Sequence, residues 1–152
     1  MTNLGCGCPG SLARTIERET IDETTNTVST PSQLRQWPVQ LHLVPPTAPW
    51  FHNADILISA DCVAFALGSF HQDILKGKAL AIACPKLDDT GAYVEKLATI
   101  FRTNEVKSIT VAIMEVPCCR GLDIMVRQAL AQSGKDIRLE TLIIGIDGEK
   151  RS

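Results

Sequence analysis

Short apolar runs alternate with longer segments of helical periodicity through most of the chain. Such runs, bounded by proline, glycine and acidic residues, are typical of strands. Five of them predict strands, at residues 39–44, 55–60, 80–83, 109–116 and 142–146. The intervening segments repeat apolar residues at the spacing of an amphipathic helix, so helices are predicted to connect the strands.

Three connecting helices are predicted. The first covers residues 64–75 and ends at Lys76-Gly77, a basic last turn followed by a C-cap glycine. The second begins near the N-cap candidates Asp88, Asp89 and Thr90. Its apolar stripe consists of Tyr93, Leu97, Ile100 and Phe101. The third ends at Ser133-Gly134, and its stripe consists of Leu122, Met125, Val126, Ala129 and Leu130.

Alternation of strands and helices predicts an α/β protein. We expect a single Rossmann-like domain from residue 34 to residue 152, with a mostly parallel sheet of about five strands. Residues 1–33 form a separate N-terminal segment, because residues 15–32 are rich in Thr, Glu, Ser and Asn without a sustained apolar pattern. This flexible, cysteine-bearing segment is expected to reach the globular body as a flap.

Composition narrows the function classes. A chain of 152 residues with 45% hydrophobic content can form a core without covalent cross-links. The formal net charge of −2, with no basic stripe, predicts neither a nucleic-acid partner nor a membrane partner. There is no signal-peptide pattern and no run of about 18 apolar residues, so a cytoplasmic protein is expected. In that reducing compartment, six cysteines indicate metal ligands or reactive thiols rather than disulfides.

Three cysteine segments occur where a predicted strand ends. Cys62 follows the second strand, Cys84 the third, and Cys118-Cys119 the fourth. Parallel strands deliver their carboxyl ends to one edge of a sheet, where ligands bind. If these strands are neighbours, their thiols lie close enough for one metal or iron–sulfur site. Either of Cys62 and Cys84 taken alone also fits a buried small hydrophobe.

Several chemistries remain open for such thiols. Iron–sulfur clusters use cysteine thiolates, and zinc uses the same sulfurs, although the paired CxxC knuckles common in structural zinc sites are absent. A thiol-based sulfurtransferase would use Cys118 or Cys119 as the persulfide carrier. A zinc- or copper-binding chaperone or sensor would use the N-terminal Cys6-Gly7-Cys8. Helix N-termini after Cys62 and Cys118-Cys119 are expected to lower the thiol pKa values.

Other polar residues beside these cysteines are weaker candidates. Asp61 and Glu115 are candidates for proton transfer or oxygen ligation, and Lys86 for a contact to a cluster sulfide. None of the three histidines lies at the predicted ligand edge, so no histidine ligand is expected. Neither GxGxxG after a strand nor GxxxxGK[ST] occurs, which leaves nucleotide binding without a motif.

The cysteine motifs and their surroundings resemble a family of small bacterial and archaeal proteins described as iron–sulfur-binding, ferredoxin-like oxidoreductases. The motifs are Cys-Pro-Gly-Ser (8–11), Ala-Asp-Cys (60–62), Cys-Pro-Lys-Leu-Asp-Asp (84–89) and Glu-Val-Pro-Cys-Cys (115–119). The resemblance implies iron–sulfur binding and supports Cys8 as a ligand. Together with the strand-end argument, it predicts a cluster of [4Fe-4S] type and a redox partner protein, and leaves a homodimer open. The expected ligands are Cys8, Cys62, Cys84, Cys118 and Cys119.

Overall fold

The computed structural model describes residues 29–151. In this range the chain forms one 4-stranded sheet, and every strand pairs in parallel with its neighbours. The strands are β1 (Asp55–Ala60), β2 (Lys78–Ala83), β3 (Ser108–Met114) and β4 (Arg138–Ile144). Their spatial order is β2-β1-β3-β4. The predicted α/β, Rossmann-like class is confirmed, with four strands in this range rather than about five.

The strands form where apolar residues run without interruption, because this sheet is buried on both faces. In β1, residues 56–60 are all buried, and in β3 residues 109–114 are all buried. Near-continuous apolar runs are characteristic of parallel strands covered on both sides. β4 lies at the edge of the sheet and alternates exposed with partly covered residues, which is why it begins at Arg138 rather than at residue 142 as predicted.

Two long helices cover one face of the sheet. They are α2 (Tyr93–Thr103), between β2 and β3, and α3 (Arg120–Ser133), between β3 and β4. The two helices pack against each other. The predicted stripes are confirmed in large part. Met125 and Leu130 are partly buried against the core, and the fully buried residues are Tyr93, Leu97, Ile100, Phe101, Leu122, Val126 and Ala129. The connection from β1 to β2 runs toward the β2 edge of the sheet, whereas the connections that contain α2 and α3 run toward the β4 edge. Because connections between parallel strands are right-handed, the β1–β2 connection lies on the other face of the sheet.

The first predicted strand, residues 39–44, is wrong. The segment makes only an isolated parallel bridge between Gln40 and Ile82 on the outer side of β2. The chain then turns, since the Gln40 carbonyl accepts the amides of Leu43 and Val44 at 2.8 and 3.0 Å. A run of apolar residues thus supplies core side chains from a turn instead of a strand, with Leu41 and Val44 fully buried.

The first predicted helix, residues 64–75, is divided. A short helix, α1, covers Val63–Ala66, and a π-helical turn covers His71–Leu75. Leu67 between them is extended, with φ −94° and ψ 105°. The next residue, Gly68, favours interruption because glycine loses the most conformational freedom in a helix. Gly77, the glycine predicted to end this segment, adopts the left-handed conformation typical of a C-cap glycine, with φ 79°.

The order of the strands creates a topological switch point between β1 and β3. From β1 the chain moves outward to β2, and α2 then carries it back across the sheet to β3 on the other side of β1. Crevices outside the carboxyl ends of strands at such points are where open α/β sheets bind ligands. The segments that follow β1 and β3 are therefore where a ligand is expected to bind.

The boundary predicted at residue 33 lies close to the start of the described range. Residues 1–28, with Cys6 and Cys8, lie outside that range. The Gln33 amide donates to Nδ1 of His71 at 3.0 Å, so the chain is already attached to the body at that point. From residue 29 to residue 151, no helix is long and apolar enough to cross a bilayer.

Candidate functional site

Four cysteines gather at the carboxyl edge of the sheet. Cys62 follows β1, Cys84 follows β2, and Cys118 and Cys119 follow β3. These three strands are adjacent, with β1 in the middle, which meets the condition on which the sequence argument depended. Neighbouring strands lie about 4.8 Å apart. The topology thus brings together thiols that are widely separated in the sequence.

The four thiols differ in exposure. Cys62 is exposed, Cys84 and Cys118 are half-buried, and Cys119 is buried. Cys118 and Cys119 do not lie in a strand, because residues Pro117–Cys119 form a 3-10 turn that leads directly into α3. The Cys119 amide donates to the Val116 carbonyl at 3.1 Å within this turn. The adjacent cysteines are therefore presented in different environments, one partly open to solvent and one packed in the core.

The charges of these thiols affect one another. The pKa of Cys119 is raised to about 11, mainly by burial and also by the neighbouring Cys118 and Cys62 thiols, against a hydrogen bond from the Met114 backbone that lowers it. Burial also raises the pKa of Cys62, followed by the charges of Cys84, Asp61 and Cys118. The expected lowering by helix N-termini is wrong for both residues, because desolvation and like charge outweigh the helix field. At neutral pH both thiols are protonated when no metal is bound.

Asp88 holds the loop that carries Cys84. Its Oδ2 accepts the Cys84 amide at 3.0 Å, the Gln40 side-chain amide at 3.0 Å and the Tyr93 hydroxyl at 2.5 Å. The Asp88 amide in turn donates to the Cys84 carbonyl at 2.9 Å. This reciprocal pair closes the loop and determines the direction of its backbone. Three donors on one carboxylate oxygen link the loop to α2 and to the turn at Gln40.

The predicted capping role of Asp88 is therefore wrong. The residue before α2 is Ala92, and no side chain caps that helix. Asp89 instead accepts the Gly91 amide at 3.3 Å in a local turn. Burial raises the pKa of Asp88, but hydrogen bonds from Tyr93, Cys84 and Gln40 outweigh it and the net shift is downward. The carboxylate is thus held in its charged form.

A glycine allows the two cysteine-bearing segments to meet above β1. Gly121 lies in the first turn of α3, and a Cβ at this position would be 3.3 Å from Cβ of Pro85. Contacts this close are tighter than most packed carbon atoms allow. The Cys84 loop and the start of α3 therefore approach each other across the end of the central strand.

The two carboxylates considered for proton transfer lie in different surroundings. Oδ1 of Asp61 is buried and has no hydrogen-bond partner among residues 29–151. Burial, and then the charge of Asp88, raise the pKa of Asp61. Glu115 instead forms an ion pair with Arg151, whose Nε donates to Oε2 of Glu115 at 3.2 Å. Asp61 belongs to the thiol edge, and Glu115 belongs to an ion pair with the end of the chain.

The remaining predicted residues divide in the same way. Lys86 is exposed in the Cys84 loop and forms no ion pair within the described range. His71 accepts the Gln33 amide, and the His42 ring contacts the Tyr93 ring at a tilted angle, with centroids 4.6 Å apart. Cys8 lies outside the described residues. Among those residues, no group of three His, Cys, Asp or Glu side chains is compact enough to hold a single metal ion.

Sequence reasoning missed the hydrogen-bond network around Asp88. Two adjacent aspartates follow Cys84 in the sequence, and nothing in the pattern distinguishes the one that binds the Cys84 amide. The partners Gln40 and Tyr93 lie 48 and 5 residues away from Asp88. Only the folded chain brings these three side chains together, and they determine where the Cys84 thiol is placed.

Comparison with known proteins supports the fold and leaves the chemistry open. Residues 48–151 match the family described as a Rossmann-like domain. A protein of Archaeoglobus fulgidus described as "Uncharacterized protein" is 35% identical over 116 residues, which cover 76% of this chain and 81% of the relative. No solved structure matches. Neither description mentions an iron–sulfur cluster, so the narrower resemblance of the cysteine motifs stays a prediction.

Proposed function

We propose that this chain, which belongs to the Rossmann-like domain family, binds an iron–sulfur cluster of [4Fe-4S] type at the carboxyl edge of its sheet. The ligands in the described range are Cys62, Cys84, Cys118 and Cys119, and Cys8 adds a fifth candidate from the N-terminal segment. One observation carries the proposal: three adjacent parallel strands deliver four thiols to a single edge at a topological switch point.

The donor set fits a cluster. All four side chains are thiols, the ligands that iron–sulfur clusters use, and a [4Fe-4S] cluster would be held by cysteine thiolates of this kind. When bound, the cluster would supply one-electron redox chemistry.

The exposure gradient suits electron exchange with a partner protein. Cys62 is exposed at the middle of the edge, whereas Cys119 is buried behind it. A site held between these residues is accessible from one side and shielded on the other. Burial and hydrogen bonding on the shielded side tune the reduction potential of such sites. The function supported best is therefore electron transfer or redox chemistry with a redox partner protein.

Thiol-based sulfur transfer fits the Cys119 thiol less well than metal ligation does. That chemistry needs a thiolate at neutral pH, because the thiolate is the nucleophile. Burial raises the pKa of Cys119 to about 11, and the pKa of Cys62 is also raised. A metal displaces the thiol proton when it binds, so ligation tolerates these pKa values better than metal-free nucleophilic chemistry does. The zinc or copper chaperone would depend on Cys6 and Cys8, outside the described range.

The first test is the iron and acid-labile sulfide content of the protein purified without oxygen. For one [4Fe-4S] cluster held by cysteines, we expect about four iron and four sulfide per chain, together with broad absorption at about 400 nm. Reversible zinc or copper binding in place of iron and sulfide would favour the chaperone. A colourless protein that also resists anaerobic reconstitution with iron and sulfide would contradict the proposal.

Single substitutions then test the ligand set. Cys84→Ser is expected to reduce iron and sulfide together, because it removes a ligand while the Asp88 network still holds the loop backbone. Cys6→Ser is the matched control, since it removes a thiol that is not in the proposed ligand set. Full iron and sulfide in the Cys84→Ser protein would exclude Cys84 as a ligand.

A further inference from the structure

A second concave region lies at the opposite, amino edge of the sheet. It has a volume of about 300 Å³ and is formed where β1 and β2 begin and where the chain enters β3. Pockets that bind small ligands start at about this size. None of the four cysteines between residues 29 and 151 lines it. Any function of this cavity is separate from the thiol edge.

The cavity is rich in positive charge. Arg35, Lys78 and Lys107 line it, and no ion pair in the described range involves any of them. Within the described part of the chain, the one carboxylate in the lining is that of Asp55, whose Oδ1 accepts the Ser108 hydroxyl at 2.6 Å. Nζ of Lys78 donates to the Ile74 carbonyl at 2.9 Å and keeps two further donors. Three cations against one carboxylate leave an excess of positive charge, which raises the local potential and attracts an anion.

A buried hydrogen-bond donor lies in the same lining. Trp50 lines the cavity, and its Nε1 is buried without a partner among the described residues. Buried indole N–H groups normally have an acceptor, since leaving one unpaired costs about 1–3 kcal/mol. Trp50 therefore contributes its ring to the lining, whereas its buried N–H is not open to a ligand in the cavity. A ligand with several oxygen acceptors would accept hydrogen bonds from the three cations together.

We propose that this cavity binds a phosphate group, either as inorganic phosphate or as the phosphate of a small organic phosphomonoester. Its oxygens accept hydrogen bonds from the Arg35 guanidinium and from the ammonium groups of Lys78 and Lys107, and the Trp50 ring lies in the same lining. Arginine and lysine at one site are the usual recognition elements for phosphate. The proposal requires no metal and does not depend on the chemistry of the cysteines.

Tryptophan fluorescence offers a direct test in the full chain. The protein has two tryptophans, and Trp37 is 76% exposed, so Trp37→Phe leaves Trp50 as the single tryptophan with little effect on packing. Inorganic phosphate is titrated at constant ionic strength, with chloride as the replaced anion. We expect a saturable change in Trp50 emission.

Charge removal in the same background identifies the site. Arg35→Gln and Lys107→Gln together are expected to weaken phosphate binding by about tenfold or more, since each removes a charge-assisted hydrogen bond. Lys135→Gln is the matched control, because Lys135 is exposed and does not line the cavity. It is expected to leave the dissociation constant unchanged.

The possible outcomes distinguish free phosphate from an organic phosphomonoester, and they include results that contradict the proposal. Tighter binding of glycerol phosphate than of inorganic phosphate identifies an organic phosphomonoester as the ligand, and equal binding identifies the free ion. Absence of saturation by about 10 mM phosphate, an equal response to chloride, or an unchanged dissociation constant in the double variant would overturn the proposal. None of these results depends on iron or sulfide content.

Discussion

At the scale of single residues, Asp88 shows how a side chain acquires its role from distant partners. Asp88 and Asp89 are adjacent and chemically identical, yet Asp88 binds the Cys84 amide and the Tyr93 hydroxyl, whereas Asp89 remains exposed. Burial and the hydrogen bond to Asp88 raise the pKa of Tyr93, so its hydroxyl keeps the proton that it donates. The position of the Cys84 thiol depends on this pairing.

Asp88→Asn tests that role through pH. A carboxyl whose pKa is lowered on folding contributes stability above its unfolded pKa and loses it as the pH falls through its folded value. The pKa of Asp88 lies below 3.8 in the folded protein. We expect Asp88→Asn to lower the free energy of unfolding by about 1–3 kcal/mol at neutral pH, with a difference that shrinks below about pH 4.

Urea denaturation at several pH values provides the measurement, and Asp89→Asn serves as the control. Asp89 makes only a local bond to the Gly91 amide, so its substitution is expected to change stability by a few tenths of a kcal/mol. An Asp88→Asn effect that stays constant down to pH 3 would show that the carboxylate charge does not contribute to stability.

At the scale of elements, the two long helices followed from the sequence and the shorter segments did not. The stripes of α2 and α3 were predicted because each helix buries one face against a sheet over three or more turns. Residues 64–75 and 39–44 carry apolar residues of the same kind, but these segments bend where Leu67 becomes extended and where the Gln40 carbonyl accepts two amides. Periodicity identifies burial, and it does not report such local turns.

The end of α3 provides a prediction at this scale. Gly134 adopts φ 70° after the last helical residue, with no neighbouring atom within 4 Å of the position that a Cβ would occupy. Gly134→Ala is therefore expected to destabilise the protein by about 1 kcal/mol through backbone conformation alone. Thermal or urea unfolding measures the loss.

Gly68→Ala is the comparison for Gly134→Ala. A Cβ at Gly68 also meets open space, but φ of Gly68 is outside the left-handed region. The substitution is expected to be neutral or to stabilise the protein slightly, because alanine restricts the unfolded chain. Equal losses at the two glycines would contradict the conformational explanation.

At the scale of the whole molecule, the sheet separates two proposed sites. The thiols lie at the carboxyl ends of the strands, and the cationic cavity lies at their amino ends. A strand of 6 residues such as β1 spans about 20 Å. Sites separated by this distance without shared partners contribute independently to stability and binding.

Independence of the two edges is the prediction at this scale. Lys107→Gln is expected to leave iron and sulfide content at the wild-type level, and Cys84→Ser is expected to leave the phosphate dissociation constant unchanged. Combining the two substitutions should give the sum of the separate effects. A change in phosphate binding on loss of the cysteine would instead show that the sheet couples its two edges.

The sequence by itself determined which segments enter the core, the α/β class, and the placement of cysteines after three strands. It could do so because burial leaves a periodic apolar pattern, and because parallel strands present their carboxyl ends to one edge. Only the tertiary structure decided that β1 lies between β2 and β3, that Asp88 holds the Cys84 loop, and that Arg35, Lys78 and Lys107 share a cavity. These features depend on residues far apart in the chain, and local patterns carry no record of which distant partners meet.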